Sequence, residues 1–322
     1  MLADATFVEA IGQSYDIRVR AIVRKRSVIG IIADQGRYIW KPSLPADSEA
    51  RLLALRNMKR VYETTDVRCA LPLPARGGTM LVKLPNGDRG YLQPWIAGRH
   101  VQVDHAVERL AAMRSLAVVH VAAQHCGHPG WTQLRRGTLL QKLRAKERAV
   151  LRVWPLAEEA QPLLRPWRSH LVRWMQEVLD DYQSSLPKSE AAWLARSSFC
   201  HRDLAPHNLL VDERGRIGWI DFDHAGYDDI LSDPIQFMSH AMFLANLSED
   251  AYCDMLDTYV ACANLSADQR VLLFRLAEWP DILVRTILEW VRGGCQKAGE
   301  AKLLYALMCE RRRRRYHQTL AM

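Results

Sequence analysis

The chain contains no apolar run of the roughly 18 residues that a membrane-spanning helix needs. Its seven cysteines (Cys69, Cys126, Cys200, Cys253, Cys262, Cys295 and Cys309) include no C-x-x-C pair. Their odd number and wide spacing argue against a disulfide framework and a cysteine-ligated zinc site, and imply reduced, mostly buried thiols. The N-terminus, MLADATFVEAIGQSYD, is acidic and lacks a basic segment ahead of an apolar stretch. It does not read as a secretory leader, so the expected compartment is the cytoplasm. No internal repeat is visible, and the low-complexity sequence is confined to the run Arg311–Arg315.

What is present suits a folded chain with a sizeable core. Of 322 residues, 49% are apolar and 25% charged. Lysine and arginine number 44 against 36 acidic residues, a net charge of +8. This excess permits an anionic partner, but charge alone gives no reason to expect nucleic acid. The arginine run reads either as a solvated helix end, where cations suit the helix dipole, or as a binding patch.

Residues 17–41 alternate as three strands, IRVRAIV, VIGIIAD and RYIWK, separated by turn-like RKRS and QG. Residues 47–63 carry apolar groups at helical spacing, with Asp47 or Ser48 to cap the start. TMLVKL and RGYLQPW flank Pro85-Asn86-Gly87-Asp88, a hairpin signal. Residues 1–95 therefore read as an antiparallel sheet with one helix. Beyond Gly98 the pattern turns helical, with helices expected near 103–126, 138–150, 162–186, 233–247, 249–263, 266–292 and 298–319. The fold class is α+β.

The densest chemistry lies in FCHRDLAPHNLLVDERGRIGWIDFD, residues 199–223. LLVD and IGWI read as short strands around Glu213-Arg214-Gly215-Arg216. Strands joined by so short a turn run antiparallel, so Asn208 at the start of one lies beside Asp221 at the end of the other. Both offer oxygen to a hard cation such as Mg2+. Asp203, five residues before Asn208, can face a hydroxyl attacking in line with a departing phosphoryl group. Each residue alone is an ordinary turn or strand end. Together they form the base-plus-metal-ligand set of a kinase catalytic loop. Phosphoryl transfer suits so small a set because it needs mainly positioning and charge neutralisation.

On these residues the sequence resembles the aminoglycoside-phosphotransferase and choline-kinase-like branch of the protein-kinase-like superfamily. His201-Arg202-Asp203 through Asn208 matches its catalytic loop, and Asp221-Phe222-Asp223 its metal-binding triplet. Asp229 and Asp233 in HAGYDDILSDP fall at its spacing and are expected to brace the loop or cap a helix. The insert 138–198 and the Ile-Asp-Phe-Asp ending are similar in layout to CotS-type spore-coat kinase-like proteins. The resemblance implies a bilobal fold, with an N-lobe over 1–97 and a mostly helical C-lobe over 98–322, and ATP and Mg2+ as cofactors. It implies Asp203 as the base, His201 orienting the loop, and Asn208, Asp221 and Asp223 around the metal. It implies Lys41 on the nucleotide phosphates with Glu49 as its helix partner, Glu63 being the poorer candidate. It places adenine on the backbone of Gln93-Pro94-Trp95-Ile96, although Trp95 also reads as core. Glu49 also reads as a carboxylate placed by the helix dipole.

Two departures stand out. The nucleotide loop, Arg24-Lys25-Arg26-Ser27, has no G-x-G-x-x-G. Asp223 stands where glycine is usual, and can either ligate metal or accept a hydrogen bond from the turn. His207 and His224 flank the site and are expected to be exposed. For the acceptor, Glu278-Trp279-Pro280-Asp281 and Glu289-Trp290 read either as a binding wall or as part of an amphipathic core helix, and core fits the spacing better. The expected function is phosphoryl transfer to a hydroxyl of a small molecule (aminoglycoside-, sugar- or amino-alcohol-like). A spore-coat kinase acting on protein or surface polymer, and a non-catalytic coat component, are the alternatives. The intact Asp203, Asn208, Asp221 and Lys41 argue against the latter.

Overall fold

In a computed structural model, which describes residues 2–25 and 28–320, the alternating N-terminal segments form a five-stranded antiparallel sheet. Its order is Val19–Lys25, Val28–Ala33, Gly36–Pro42, Arg89–Pro94, Val82–Lys83. The Asn-Gly hairpin closes as its sequence predicts: Gly87 takes φ 90° and Leu84 N donates to Asp88 O at 2.7 Å. One sheet face buries Ile31, Trp40, Val82 and Leu92 against Phe7 and Ile11. Those last two belong to a helix, Leu2–Tyr15, that the sequence reading did not anticipate. Phe7 and Ile11, four apart, are its buried contacts, with Ala10 and Tyr15 packed beside them, and Phe7 meets Trp40 edge-to-face at 5.8 Å.

The expected helix over 47–63 forms as two pieces, Glu49–Asn57 and Lys59–Tyr62. Ser48 caps the first, accepting from Arg51 N. At the joint Met58 N donates to Leu55 O, a tighter turn than the α-helix makes. Leu52, Leu55, Met58, Val61 and Tyr62 then pack into the large core that the C-terminal helices share.

Ala106–His125 runs through that core. Leu139–Ala160 runs ten residues beyond the end expected at 150 and passes through Pro155. Proline removes one hydrogen bond, but Pro155 is exposed while Val150, Trp154 and Ala157 hold the helix on either side. Conversely, 266–292 is not one helix. Pro280 separates Ala267–Leu276 from Asp281–Arg292. Trp131–Leu134, Trp167–Ser184, Glu190–Arg196, Ser232–Ala245, Glu249–Ala263 and Glu300–Leu320 complete the α-helical part among the described residues. No helix among the described residues is long and apolar enough to cross a membrane.

Two small sheets frame the motif. Leu209–Val211 pairs antiparallel with Ile217–Trp219, flanked by the short strands Arg99–His100 and Arg68–Cys69. Ser197–Cys200 pairs antiparallel with Gly226–Asp229, tying the two ends of the motif together.

Candidate active site

The hairpin brings its chemistry together as its spacing predicts. Ile220 N donates to Asn208 O at 3.0 Å, closing the hairpin mouth. Asn208 is buried, and its Nδ2 donates to Asp203 O at 2.8 Å. Its Oδ1 makes no hydrogen bond with any described residue. Asp221 follows at φ 67°, ψ 64°, a left-handed conformation that Asp tolerates better than most residues.

Lys41, on the strand Gly36–Pro42, reaches across to both carboxylates. Its Nζ lies 2.5 Å from Asp221 Oδ1 and 2.6 Å from Asp223 Oδ1. Burial pulls the Lys41 ammonium down, but the two carboxylates outweigh it and hold its pKa above the ordinary value. Burial pushes both carboxyls up. For Asp221 the bond to Lys41 wins and the pKa is lowered; for Asp223 burial and the charge of Asp221 win and it is raised. Asp223 does not take a positive φ, so glycine's freedom is not needed there.

The loop before the hairpin is held by a buried carboxylate. Asp233 accepts from His201 N at 2.6 Å and Arg202 N at 2.8 Å, and its Oδ2 lies 3.2 Å from His120 Nε2. Burial opposes ionisation of Asp233, but the His120 contact and these hydrogen bonds prevail and its pKa lies below the usual value. His201 is itself fully buried, its Nε2 bonded to Ile220 O at 2.8 Å and its ring packed on Trp219 and Phe222. Arg202, at φ 65°, pairs with Asp228 at 2.9 Å; burial pushes the Asp228 carboxyl up to about 6. Asp229 accepts from Tyr182 and Leu231 N. His120, Cys200 and Asp233 come close enough to suggest a buried metal cluster, but the two oxygens of Asp233 are taken by the loop and His120 Nδ1 by Tyr259.

Asp203 Oδ1 accepts from Gln236 Nε2 at 3.3 Å. Gln236 Oε1 in turn accepts from Lys142 Nζ at 3.2 Å, and Lys142 also donates to Arg202 O at 2.7 Å. Farther out Lys146 pairs with Asp281, and Arg285 contacts His240. Burial, then the Arg285 charge, pulls the His240 pKa down to about 3.

Several positioning residues escaped sequence reasoning. Arg51 donates to Ala225 O, Phe222 O and Asp223 O, and Arg136 Nη2 adds a bond to Asp223 O at 3.0 Å. Two guanidinium groups thus hold the carbonyls of the Asp-Phe-Asp segment. The available signal was Asp47 four residues before Arg51, an i,i+4 pair whose groups lie 3.7 Å apart and are nearly buried. Gln236 and Lys142 carried no signal, because nothing local marks a polar residue that meets a distant loop.

One expectation is corrected. Glu49 is not the partner of Lys41 in this structure. Its carboxylate accepts from Met80 N at 2.6 Å and Leu81 N at 3.0 Å, while Lys41 is taken by Asp221 and Asp223. Glu63 pairs with Lys59 on its own helix. In the connecting segment Gln93 is buried and pairs with Ile39 across the sheet. Trp95 N donates to Arg37 O, and its ring lies over Gly30, where any Cβ would clash. Pro94 has no N–H, so Ile96 is the first residue there whose N–H has no protein partner among the described residues. Ser27 lies outside the described residues. His207 is exposed. Trp279 and Trp290 are 2% and 6% exposed, so they belong to the core.

Sheet, helical bulk and a carboxylate-bearing hairpin facing a strand lysine define a kinase-like phosphotransferase fold. The chain belongs to the phosphotransferase enzyme family, whose family model matches residues 26–274. No curated protein matches it closely. Among solved structures it is similar to an aminoglycoside phosphotransferase from Alicyclobacillus acidocaldarius subsp. acidocaldarius DSM 446, at 16% identity and TM-score 0.77, covering 97% of this chain and 95% of that one. It is also similar to an amicoumacin kinase in complex with AMP-PNP, Ca2+ and Ami, at 12% identity and TM-score 0.66, with 95% and 93% covered. A spectinomycin phosphotransferase in complex with ADP and spectinomycin matches at 13% identity and TM-score 0.61, with 98% and 93% covered.

Proposed function

We propose that the protein transfers the γ-phosphoryl group of ATP, with Mg2+, to a hydroxyl of a small molecule. The observation that carries this reading is the meeting of Lys41 with Asp221 and Asp223 at the end of the hairpin that Asn208 opens, with Asp203 bonded to Asn208 in the loop before it. The donors available to a cation are the Oδ1 of Asn208 and the carboxylates of Asp221 and Asp223. An all-oxygen set of this kind suits a hard divalent ion. Such an ion supplies charge neutralisation at the phosphates.

The remaining roles fall to the chain. Lys41 exchanges its carboxylate partners for phosphate oxygens when nucleotide and metal are bound, as a point charge that can move. The Ile96 N–H offers the adenine a donor between an N-lobe of residues 1–97 and a C-lobe of 98–322. Asp203, held by Gln236 and by the Asn208 bond to its carbonyl, accepts the proton of the attacking hydroxyl. His201 and Asp233 keep that loop in place, and Arg51 and Arg136 keep the Asp-Phe-Asp segment in place.

The acceptor side near Asp203 carries Lys142, Lys146 and Arg285 against the carboxylates of Asp203 and Asp281. A polycationic aminoglycoside meets repulsion there, so the reading favours a neutral or anionic hydroxyl compound. The test is ATP consumption with sugars, sugar acids, amino alcohols and aminoglycosides, using Asp203→Asn as the control. Turnover of a neutral or anionic compound that disappears in the variant is expected. Turnover that survives Asp203→Asn removes Asp203 as the base, and turnover of aminoglycosides alone overturns the acceptor class.

A further inference from the structure

The arginine run near the C-terminus has no place in the phosphotransfer centre. The fold divides it in two. Arg313 turns inward, where it pairs with Glu310 and donates to Ala277 O at 2.7 Å and to Trp279 O. Arg311, Arg312, Arg314 and Arg315 instead line a cavity of about 810 Å3 between Glu300–Leu320 and Trp167–Ser184, and Arg173 joins them from the second helix.

Three features set this cavity apart from a solvated helix end. The charge converges from two helices, whereas a helix-dipole preference would explain cations on the last turn of one. No carboxylate lines the cavity. Outside the lining, Glu177 lies 3.7 Å from Arg314, while Arg173, Arg311 and Arg315 have no carboxylate partner among the described residues. Two of the guanidinium groups also sit over aromatic rings: Arg311 Cζ lies 5.5 Å from the Trp167 ring centre and Arg314 Cζ 4.7 Å from that of Trp174. Trp174 Nε1 is buried with no hydrogen-bond partner.

We infer that this cavity binds a small polyanion carrying two or more phosphate or carboxylate groups. Guanidinium forks match such oxygens two at a time. The volume lies in the range of small-molecule sites, so a compact ligand fits it better than a polymer. The aromatic rings already carry arginines, so recognition falls to the anionic groups.

The test is isothermal titration with inorganic tripolyphosphate and with citrate, on wild type and three variants. Arg311→Gln/Arg315→Gln and Arg173→Gln approach the cavity from different helices. Lys41→Met serves as the control for phosphate binding in the phosphotransfer centre. Binding that weakens with rising salt, falls about tenfold in both arginine variants, and persists in Lys41→Met is expected. Citrate binding alongside tripolyphosphate assigns the site to polyanions in general, and its absence narrows the ligand to phosphates. Binding lost only in Lys41→Met, binding indifferent to both arginine variants, or no binding of either probe at millimolar concentration overturns the inference.

Discussion

Asp233→Asn is the sharpest test of how the catalytic loop is held. The substitution keeps the shape of a side chain with no solvent exposure and removes its charge. Asp233 accepts from His201 N at 2.6 Å and Arg202 N at 2.8 Å while facing His120. An asparagine keeps one acceptor oxygen and turns an NH2 toward the remaining buried N–H. Hydrogen bonds to a charged group contribute about 1.5–3 kcal/mol, and a buried donor left unmatched costs about 1–3 kcal/mol. Allowing for overlap between these effects, a loss of about 2–4 kcal/mol follows, within the stability of an ordinary domain. Urea unfolding at neutral pH measures it. Turnover falls as well, because the freed N–H groups precede Asp203, and Arg202 holds a left-handed φ only while anchored. The pKa of Asp233 is lowered in the folded protein, so its contribution is complete above the unfolded carboxylate pKa of about 4 and disappears as pH falls through the folded value. The gap between wild type and variant therefore narrows in acid. A neutral-pH difference under about 0.5 kcal/mol refutes the bracing role.

Two further outcomes follow from the charges around Lys41. Because Glu49 bonds to Met80 N and Leu81 N, Lys41→Met and Glu49→Gln act independently on stability in the absence of nucleotide, with a coupling under about 0.5 kcal/mol; a larger coupling restores the Lys41–Glu49 pair. Because burial and Asp221 hold the Asp223 pKa above its ordinary value, Mg2+ affinity declines as pH falls through that raised value. Titration calorimetry against pH should find this step in wild type and not in Asp223→Asn; an identical pH profile in the variant places the step on another group.

Local patterns made the centre legible. A four-residue turn between two apolar segments places Asn208 beside Asp221 without any knowledge of the rest of the fold. The Asn-Gly hairpin and the alternation of residues 17–41 likewise located the strand carrying Lys41. Long-range pairing was not legible. Arg51 serves carbonyls more than 170 positions away, and Glu49 is drawn to a backbone loop that its helix meets only in three dimensions. Prolines misled in both directions. Pro155 is exposed on a helix held by buried neighbours and does not end it, whereas Pro280 divides one expected helix into two. The helix Leu2–Tyr15 escaped because small and apolar residues are spread around it, so the stripe of Phe7, Ala10 and Ile11 that docks does not stand out as a period.

The central claim is that Lys41, Asn208, Asp221 and Asp223 form one metal–nucleotide centre. Thermal unfolding with ATP, with and without Mg2+, in wild type and Asp221→Ala tests it most directly. ATP is expected to stabilise the wild type more strongly when Mg2+ is present, and the Mg2+-dependent part to vanish in Asp221→Ala. No stabilisation of the wild type at millimolar ATP, or an undiminished Mg2+ effect in the variant, contradicts it.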